Sequence, residues 1–255
     1  MTRVIKVGGR PQLDPSLAAT LAGAHRASPG SLVVVHGGGD EVSALQRLYG
    51  AVAEFRNGRR VTSALDLEII RMALSGSANK RLVSMLVAAN LPAVGLSGED
   101  AALLSATPFD SVQFGFVGVP SQVNITLLQH LLSGGYLPVL SPVSRCTDAR
   151  AGLTLNVNGD DAAAAIAVAL GAVELLFVSD VPGVLVEGVP VTLLTPEDAQ
   201  RLIDDGKAQG GMSAKLQAAL VALEGGVECV RISDIAAIEL PERGTVLTRV
   251  GSVCA

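Results

Sequence analysis

Val4-Ile5-Lys6-Val7-Gly8-Gly9 is a buried-strand pattern that carries one lysine and closes on two glycines. A lysine inside an apolar strand costs free energy unless an anion meets it. The glycine pair leaves backbone N–H groups with no side chain in the way, as an anion cradle requires. The same idea recurs at Leu32-Val33-Val34-Val35-His36-Gly37-Gly38-Gly39. The two strands lie about thirty residues apart, the length of a strand–helix–strand unit. Together they place a phosphate site at the strand ends of an α/β sheet.

Outward from these stretches, strand-like runs alternate with helical ones along the whole chain. Strands are expected near 3–8, 31–36, 91–96, 136–141, 174–179 and 227–233. Helices are expected over 14–27, 39–49, 63–75, 77–90, 122–134, 159–171, 195–205 and 211–225. That alternation predicts right-handed βαβ units and an α/β fold, an αβα sandwich with an open, mainly parallel central sheet. Polar, glycine-rich stretches at 98–120 and 144–155 read as hairpins or lids, and Pro182, Pro190 and Pro196 punctuate a third. A soft boundary near 150–175 divides the chain into lobes of 1–155 and 156–255.

The composition sets limits. The 255 residues are 49% apolar but only 3% aromatic, so the core must be Ala, Val and Leu, which buried parallel strands favour. A formal net charge of −5 argues against a general nucleic-acid surface. The longest apolar run, Ala162 to Val173, is about twelve residues, whereas a membrane-spanning helix takes about 20. Cys146, Cys229 and Cys254 form no CxxC pair and read as reduced thiols. The chain enters a strand at once, leaving no room for a signal peptide, so a cytoplasmic protein is expected.

Four further clusters carry candidate chemistry. Asn156-Val157-Asn158-Gly159-Asp160-Asp161 opens a helix. Capping explains one or two of its Asn and Asp residues and leaves the rest over. Leu176-Phe177-Val178-Ser179-Asp180 puts a carboxylate at a strand's C-terminal end, where α/β ligands bind, and a plain Asp-Val-Pro-Gly turn is the alternative. In Gly210-Gly211-Met212-Ser213-Ala214-Lys215 the lysine lies one turn into a helix, near its positive end. A structural lysine gains more at the other end, so this one makes sense facing phosphate. Arg56-Asn57-Gly58-Arg59-Arg60-Val61-Thr62-Ser63 is either a surface basic turn or a clamp, with Arg60 gripping a carboxylate. No GxxxxGK[ST], GxSxG or HExxH occurs, and three histidines are too few for a multi-His metal site. His36 reads as a strand-end histidine satisfied by backbone.

Taken in order, Lys6-Val7-Gly8-Gly9, His36-Gly37-Gly38-Gly39, Asn57-Gly58-Arg59-Arg60-Val61-Thr62, Leu96-Ser97-Gly98-Glu99-Asp100, Asn156-Val157-Asn158-Gly159-Asp160, Ser179-Asp180-Val181-Pro182-Gly183-Val184 and Gly210-Gly211-Met212-Ser213-Ala214-Lys215 resemble the amino-acid kinase family over nearly the whole chain. The third and fifth segments favour the branch that acts on N-acetyl-L-glutamate over the carbamate, aspartate and uridylate branches. The resemblance implies transfer of the ATP γ-phosphoryl group to the side-chain carboxylate of N-acetyl-L-glutamate, a step of arginine biosynthesis. It implies Lys6 and Lys215 as transition-state stabilisers oriented by Asp160. Gly8, Gly9, Gly38 and Gly39 would offer N–H donors to the γ-phosphate and the substrate, whose carboxylate and acetamide Arg60 and Asn156 would hold. Asp180, Val181, Pro182, Gly183, Val184 and Leu185, with Lys207, Ala208, Gln209, Gly210 and Gly211, would form the ATP side. The first lobe would bind the amino acid and dimerise, the second would bind ATP, and Mg²⁺ would sit on the nucleotide with no protein metal site.

Two departures accompany the resemblance: Glu99 stands where many relatives carry Lys, and Ala101 where they carry Gly. The extra N-terminal helix of arginine-inhibited hexameric relatives is not seen ahead of Lys6, so a homodimer free of that inhibition is expected. The rivals are a kinase of carrier-bound aminoadipate or glutamate, which would want a basic rim, and a non-catalytic regulatory member of the fold.

Overall fold

The fold was obtained as a computed structural model, which describes residues 1–56, 58–148 and 154–248. The first part of the chain runs β1 (Arg3–Val7), α1 (Ser16–Ala27), β2 (Leu32–His36), α2 (Gly39–Leu48), the hairpin β3 (Phe55–Arg56) and β4 (Arg59–Arg60), and α3 (Ala64–Ile70). It continues through α4 (Asn79–Ala88), β5 (Ala93–Gly98), β6 (Leu104–Pro108), α5 (Ser111–Phe114), β7 (Val117–Val123), α6 (Ile125–Ser133) and β8 (Leu137–Cys146). The remainder is β9 (Thr154–Val157), α7 (Gly159–Leu170), β10 (Glu174–Val178), the hairpin β11 (Leu185–Val186) and β12 (Val189–Pro190), β13 (Leu193–Leu194), α8 (Pro196–Asp204), α9 (Gly210–Glu224), β14 (Cys229–Ser233) and β15 (Thr245–Thr248).

Among the described residues, eleven strands join one sheet in the order β13-β15-β14-β10-β1-β2-β8-β6-β7-β9, with β5 also on β8. Pairing is parallel from β14 through β10, β1 and β2 to β8, and antiparallel at β14–β15, β6–β7 and β8–β9. The mainly parallel α/β architecture is therefore as the sequence predicts. The central strand β1 lies between β10 and β2, with Lys6 level with Phe177 and Val35.

Helices cover both faces. On one, the alanine-rich α7 and α9 pack on Val4, Val33, Val35, Leu175, Phe177, Val230 and Ile232. On the other, Leu17 and Leu21 of α1 and Leu82 and Leu86 of α4 pack on Ile5, Val7, Val34, Leu176 and Val178. Successive side chains of a strand alternate between faces, so Lys6 shares the face of Val4, beneath α7. Small residues let α7 come close: a Cβ on Gly159 would stand 3.4 Å from Lys6 Cε and 3.7 Å from the His36 carbonyl.

The differences from expectation are local. The two helices expected over 63–90 form one run in which Arg71–Ala78 is π-helical. Strands β9 and β15 are not legible in the sequence because each is only four residues long, and each pairs with a more distant strand as well as with the one before it. Asn156 lies on β9 rather than at the start of α7, and β9 straddles residue 155. Cys146 is a free thiol, but Cys229 is disulfide-bonded, which corrects the expectation of a reduced thiol there. Asn57 and Cys254 lie outside the described residues. No helix among the described residues is long and apolar enough to cross a membrane.

Ala101 adopts φ +50°, ψ 30°, a left-handed conformation that suits glycine better than an L-residue. The strain relieved by Ala101→Gly, about 1–2 kcal/mol, exceeds the roughly 0.4–1 kcal/mol of added chain entropy in the unfolded state. The variant is therefore expected to gain about 0.5 kcal/mol in urea unfolding, and a loss of stability would show that the loop carries no strain.

Candidate active site

The sheet gathers chain segments that are far apart in sequence. Lys6 lies one residue before the end of β1, the Gly37–Gly39 turn follows β2, Asp160 sits in the first turn of α7, and Lys215 lies in the second turn of α9. Asn158 caps α7, its Oδ1 accepting the Asp160 N–H at 2.7 Å. That fixes the Asp160 backbone and leaves its carboxylate free to face both lysines. Lys6 Nζ is 2.7 Å from Asp160 Oδ1, an ion pair whose angle falls short of an aligned hydrogen bond. Lys215 Nζ donates to Oδ2 at 3.4 Å.

Asp160 is only 4% exposed. Burial, the largest influence, would raise its pKa, but the two ammonium groups together outweigh it and hold the carboxyl below the ordinary range. Burial likewise lowers the Lys215 pKa, partly offset by Asp160. One carboxylate thus balances two cations, leaving a net positive charge that suits a phosphoryl group.

A cavity of about 230 Å³ opens beside this triad, lined among others by Lys6, Gly9, Gly38, Gly39, Arg60, Asn156 and Asp160. Among the described residues no backbone acceptor takes the N–H of Gly9, Gly38 or Gly39. Gly8 differs, because its N–H donates to the Val178 carbonyl at 2.9 Å. Its expected role as a phosphate donor is not available in this conformation. Gly38 has φ +153°, and a Cβ there would lie 2.7 Å from Leu74 Cδ2. Glycine is therefore required at that turn.

Arg60 is buried, its guanidinium donating to the Gly39 carbonyl at 3.0 Å, to Ser43 Oγ at 2.9 Å and to Gln46 Oε1. Asn156 donates from Nδ2 to Thr62 Oγ1 at 3.0 Å. The neighbouring Arg59 pairs with Asp161 at 2.8 Å and stacks on Phe109. Glu99 pairs with Arg71 at 3.2 Å and accepts from Thr154 Oγ1 at 2.7 Å, away from the lysines.

A second cavity of about 200 Å³ is lined by Val181, Val184, Leu185, Lys207, Ala208 and Gln209, with Leu202 and Met212. Five other residues expected on the ATP side do not line it. Gly183 packs on Thr245, where a Cβ would lie 2.6 Å from Oγ1, and the Pro182 carbonyl accepts from Ser233 Oγ at 3.2 Å. Gly210 and Gly211 form the first turn of α9, one turn ahead of Lys215. Asp180 forms an exposed pair with Arg10 at 2.9 Å. Arg10 and Gln46 were not singled out in the sequence. A cation directly after the glycine pair could have flagged Arg10, whereas Gln46 has no such signal.

His36 is fully buried. Its Nδ1 donates to the Gly37 carbonyl at 2.9 Å and its Nε2 accepts from Asn79 at 3.1 Å, an assignment that follows from the network. Burial pushes its pKa down to about 4 from 6.5. The unfolded chain takes up the proton near pH 6.5 and the folded chain only near 4, so stability is full above 6.5 and falls between the two. The loss is about 3 kcal/mol. Urea unfolding from pH 7.5 to 4 is expected to lose that amount in the wild type relative to His36→Asn. Identical pH slopes in the two proteins would remove His36 as the cause.

Residues 1–234 match the amino acid kinase family. The acetylglutamate kinase of Chloroflexus aurantiacus is 44% identical over 237 residues, 92% of either chain. That of Geobacillus stearothermophilus is 45% identical over 224 residues, covering 87% of this chain and 85% of the relative. Among solved structures, smu.665 from Streptococcus mutans UA159 aligns with a TM-score of 0.88 at 29% identity, over 97% of this chain and 98% of that one. The chain belongs to the amino acid kinase family.

Proposed function

We propose that this protein transfers the γ-phosphoryl group of ATP to the side-chain carboxylate of N-acetyl-L-glutamate, forming an acyl phosphate in arginine biosynthesis. The observation that carries the reading is the pair of lysines, one from β1 and one from α9, held on the single carboxylate of Asp160 beside a cavity that contains an arginine with no carboxylate in ion-pair contact among the described residues. The relatives named above share the activity by name.

The chemistry suits these residues. A glutamate side chain has a pKa of about 4.3, so the nucleophile is already ionised at neutral pH and needs no general base. The difficulty is bringing two anions into line and balancing charge on the phosphoryl group as it moves. Lys6 meets that group from the glycine-turn side and Lys215 from the α9 side. The open N–H groups of Gly9, Gly38 and Gly39 add donors. Arg60 takes the α-carboxylate. Asn156, whose Nδ2 is held by Thr62, keeps its Oδ1 to accept the acetamide N–H. The second cavity takes the nucleotide base and ribose.

Among the described residues no three of His, Cys, Asp and Glu lie close enough to cage a metal ion. These residues fit a Mg²⁺ held by nucleotide oxygens and water, which would neutralise phosphate charge. The proposal includes substrate-binding and nucleotide-binding lobes of 1–155 and 156–255, a cytoplasmic location and a homodimer. Exposed Leu65, Met72 and Val87 along one helical run offer apolar surface for the dimer. Sedimentation as a stable hexamer would refute it.

A coupled ADP-release assay with N-acetylglutamate, N-acetylaspartate, glutamate and N-acetylaminoadipate tests the function. Turnover is expected with N-acetylglutamate above the other three. No turnover with any of them would overturn the reading.

A further inference from the structure

We propose that Gln46 is a positioning residue that stands between Arg60 and Asp66 and so keeps the charge of Arg60 available to the substrate's α-carboxylate. The inference rests on the function proposed above and adds a determinant of affinity for its acceptor.

Arg60 is 9% exposed and lines the cavity. Every acceptor it uses is neutral: the Gly39 carbonyl, Ser43 Oγ and Gln46 Oε1, with the Phe55 ring 4.5 Å from its guanidinium carbon. Other buried or half-buried arginines here have acidic partners: Arg3 and Arg231 share Glu174, and Arg59 has Asp161. No carboxylate lies within ion-pair distance of Arg60 among the described residues. A buried guanidinium stays protonated and is costly without a counter-charge. Its missing partner is the anion that enters the cavity.

The carboxylate nearest along this network is Asp66, and it is locked elsewhere. Its Oδ2 closes the capping box of α3, accepting from Ser63 N at 3.0 Å and Ser63 Oγ at 2.6 Å. Its Oδ1 accepts from Gln46 Nε2 at 2.5 Å. Gln46 is 1% exposed, so both ends of its amide are committed. Arginine only donates and aspartate only accepts, which fixes the amide with oxygen toward Arg60 and nitrogen toward Asp66. An amide in this place orients the guanidinium as a carboxylate would, without neutralising it. Glutamate has nearly the same shape and would neutralise it.

The test is Gln46→Glu beside Gln46→Met, assayed for ADP release with both substrates varied and for melting temperature. Gln46→Glu is expected to raise KM for N-acetylglutamate at least tenfold, with kcat at saturation and KM for ATP within twofold of wild type. Gln46→Met, which leaves the charge free but unguided, is expected to raise that KM by less. Equal effects of the two variants, or changes that follow melting temperature and strike both substrates alike, would reduce Gln46 to a packing role and overturn the proposal. If Gln46→Glu does not fold, Ser43→Asp places a carboxylate on Arg60 Nη2 from a half-buried position. It must give the same selective loss, and an unchanged KM there overturns the idea equally. A wild type that neither binds nor phosphorylates N-acetylglutamate would instead overturn the function itself.

Discussion

Asp160→Asn is expected to lower kcat by about 10³, the size of effect seen when a preorganised electrostatic contact is removed from a transition state. The variant keeps the side chain's shape and removes the one negative charge between Lys6 and Lys215. Both ammonium groups lie in a buried setting, and burial already lowers the Lys215 pKa while Asp160 is present. Without the carboxylate the two cations repel, which lowers the Lys215 pKa further and favours loss of its proton. The moving phosphoryl group then meets one cation where the wild type offers two. The lost charge also has a folding cost. Breaking a buried ion pair costs about 3–5 kcal/mol when the remaining charge persists, and release of a proton softens this. The pH profile gives an independent reading. A lysine whose pKa has fallen regains its charge on acidification, so residual activity of the variant should shift to lower pH than wild type. A kcat within tenfold of wild type, or an unshifted profile, would show that Asp160 does not hold the two lysines in their working state.

Lys6→Arg is expected to lose at least about 10² in kcat while the KM for ATP changes little. Charge is retained, so long-range attraction of the nucleotide survives. Geometry is not retained. The Lys6 ammonium is a single point held 2.7 Å from Asp160 Oδ1. The backbone runs close beside it: a Cβ on Gly159 would already be in contact with Lys6 Cε at 3.4 Å, and one on Gly37 with Nζ at 3.8 Å. A guanidinium would also engage both oxygens of Asp160 and displace Lys215 from its contact. Single-turnover measurement separates the outcomes, because an effect on chemistry appears in the phosphoryl-transfer step itself. Near-normal turnover would remove Lys6 from the mechanism.

These expectations differ in how visible their grounds are in the sequence. Lys6 could be singled out because a lysine in a buried strand violates the ordinary pattern, and the glycine pair after it explains why. Lys215 stood out for the same kind of reason, being at the less favourable end of its helix. Arg60 was ambiguous, since a basic turn on a surface and a buried clamp have the same letters. Its burial comes from α2, through Gln46 and Ser43, and from Phe55. Gly8 shows the converse: its place in the Gly-Gly pair suggested an open N–H, but sheet pairing to the Val178 carbonyl occupies it.

Local periodicity and the placement of glycines were enough to specify the central parallel strands, the main helices and the end of the sheet where chemistry sits, because both depend on neighbours a few residues apart. Which side chains share a charge depended on the packed fold. Only after β1 settled between β2 and β10, and α7 and α9 closed over the same face, did one carboxylate come within reach of two ammonium groups. Ion pairing and desolvation act over a few ångströms in space, and that proximity of residues more than fifty positions apart exists only in the folded chain.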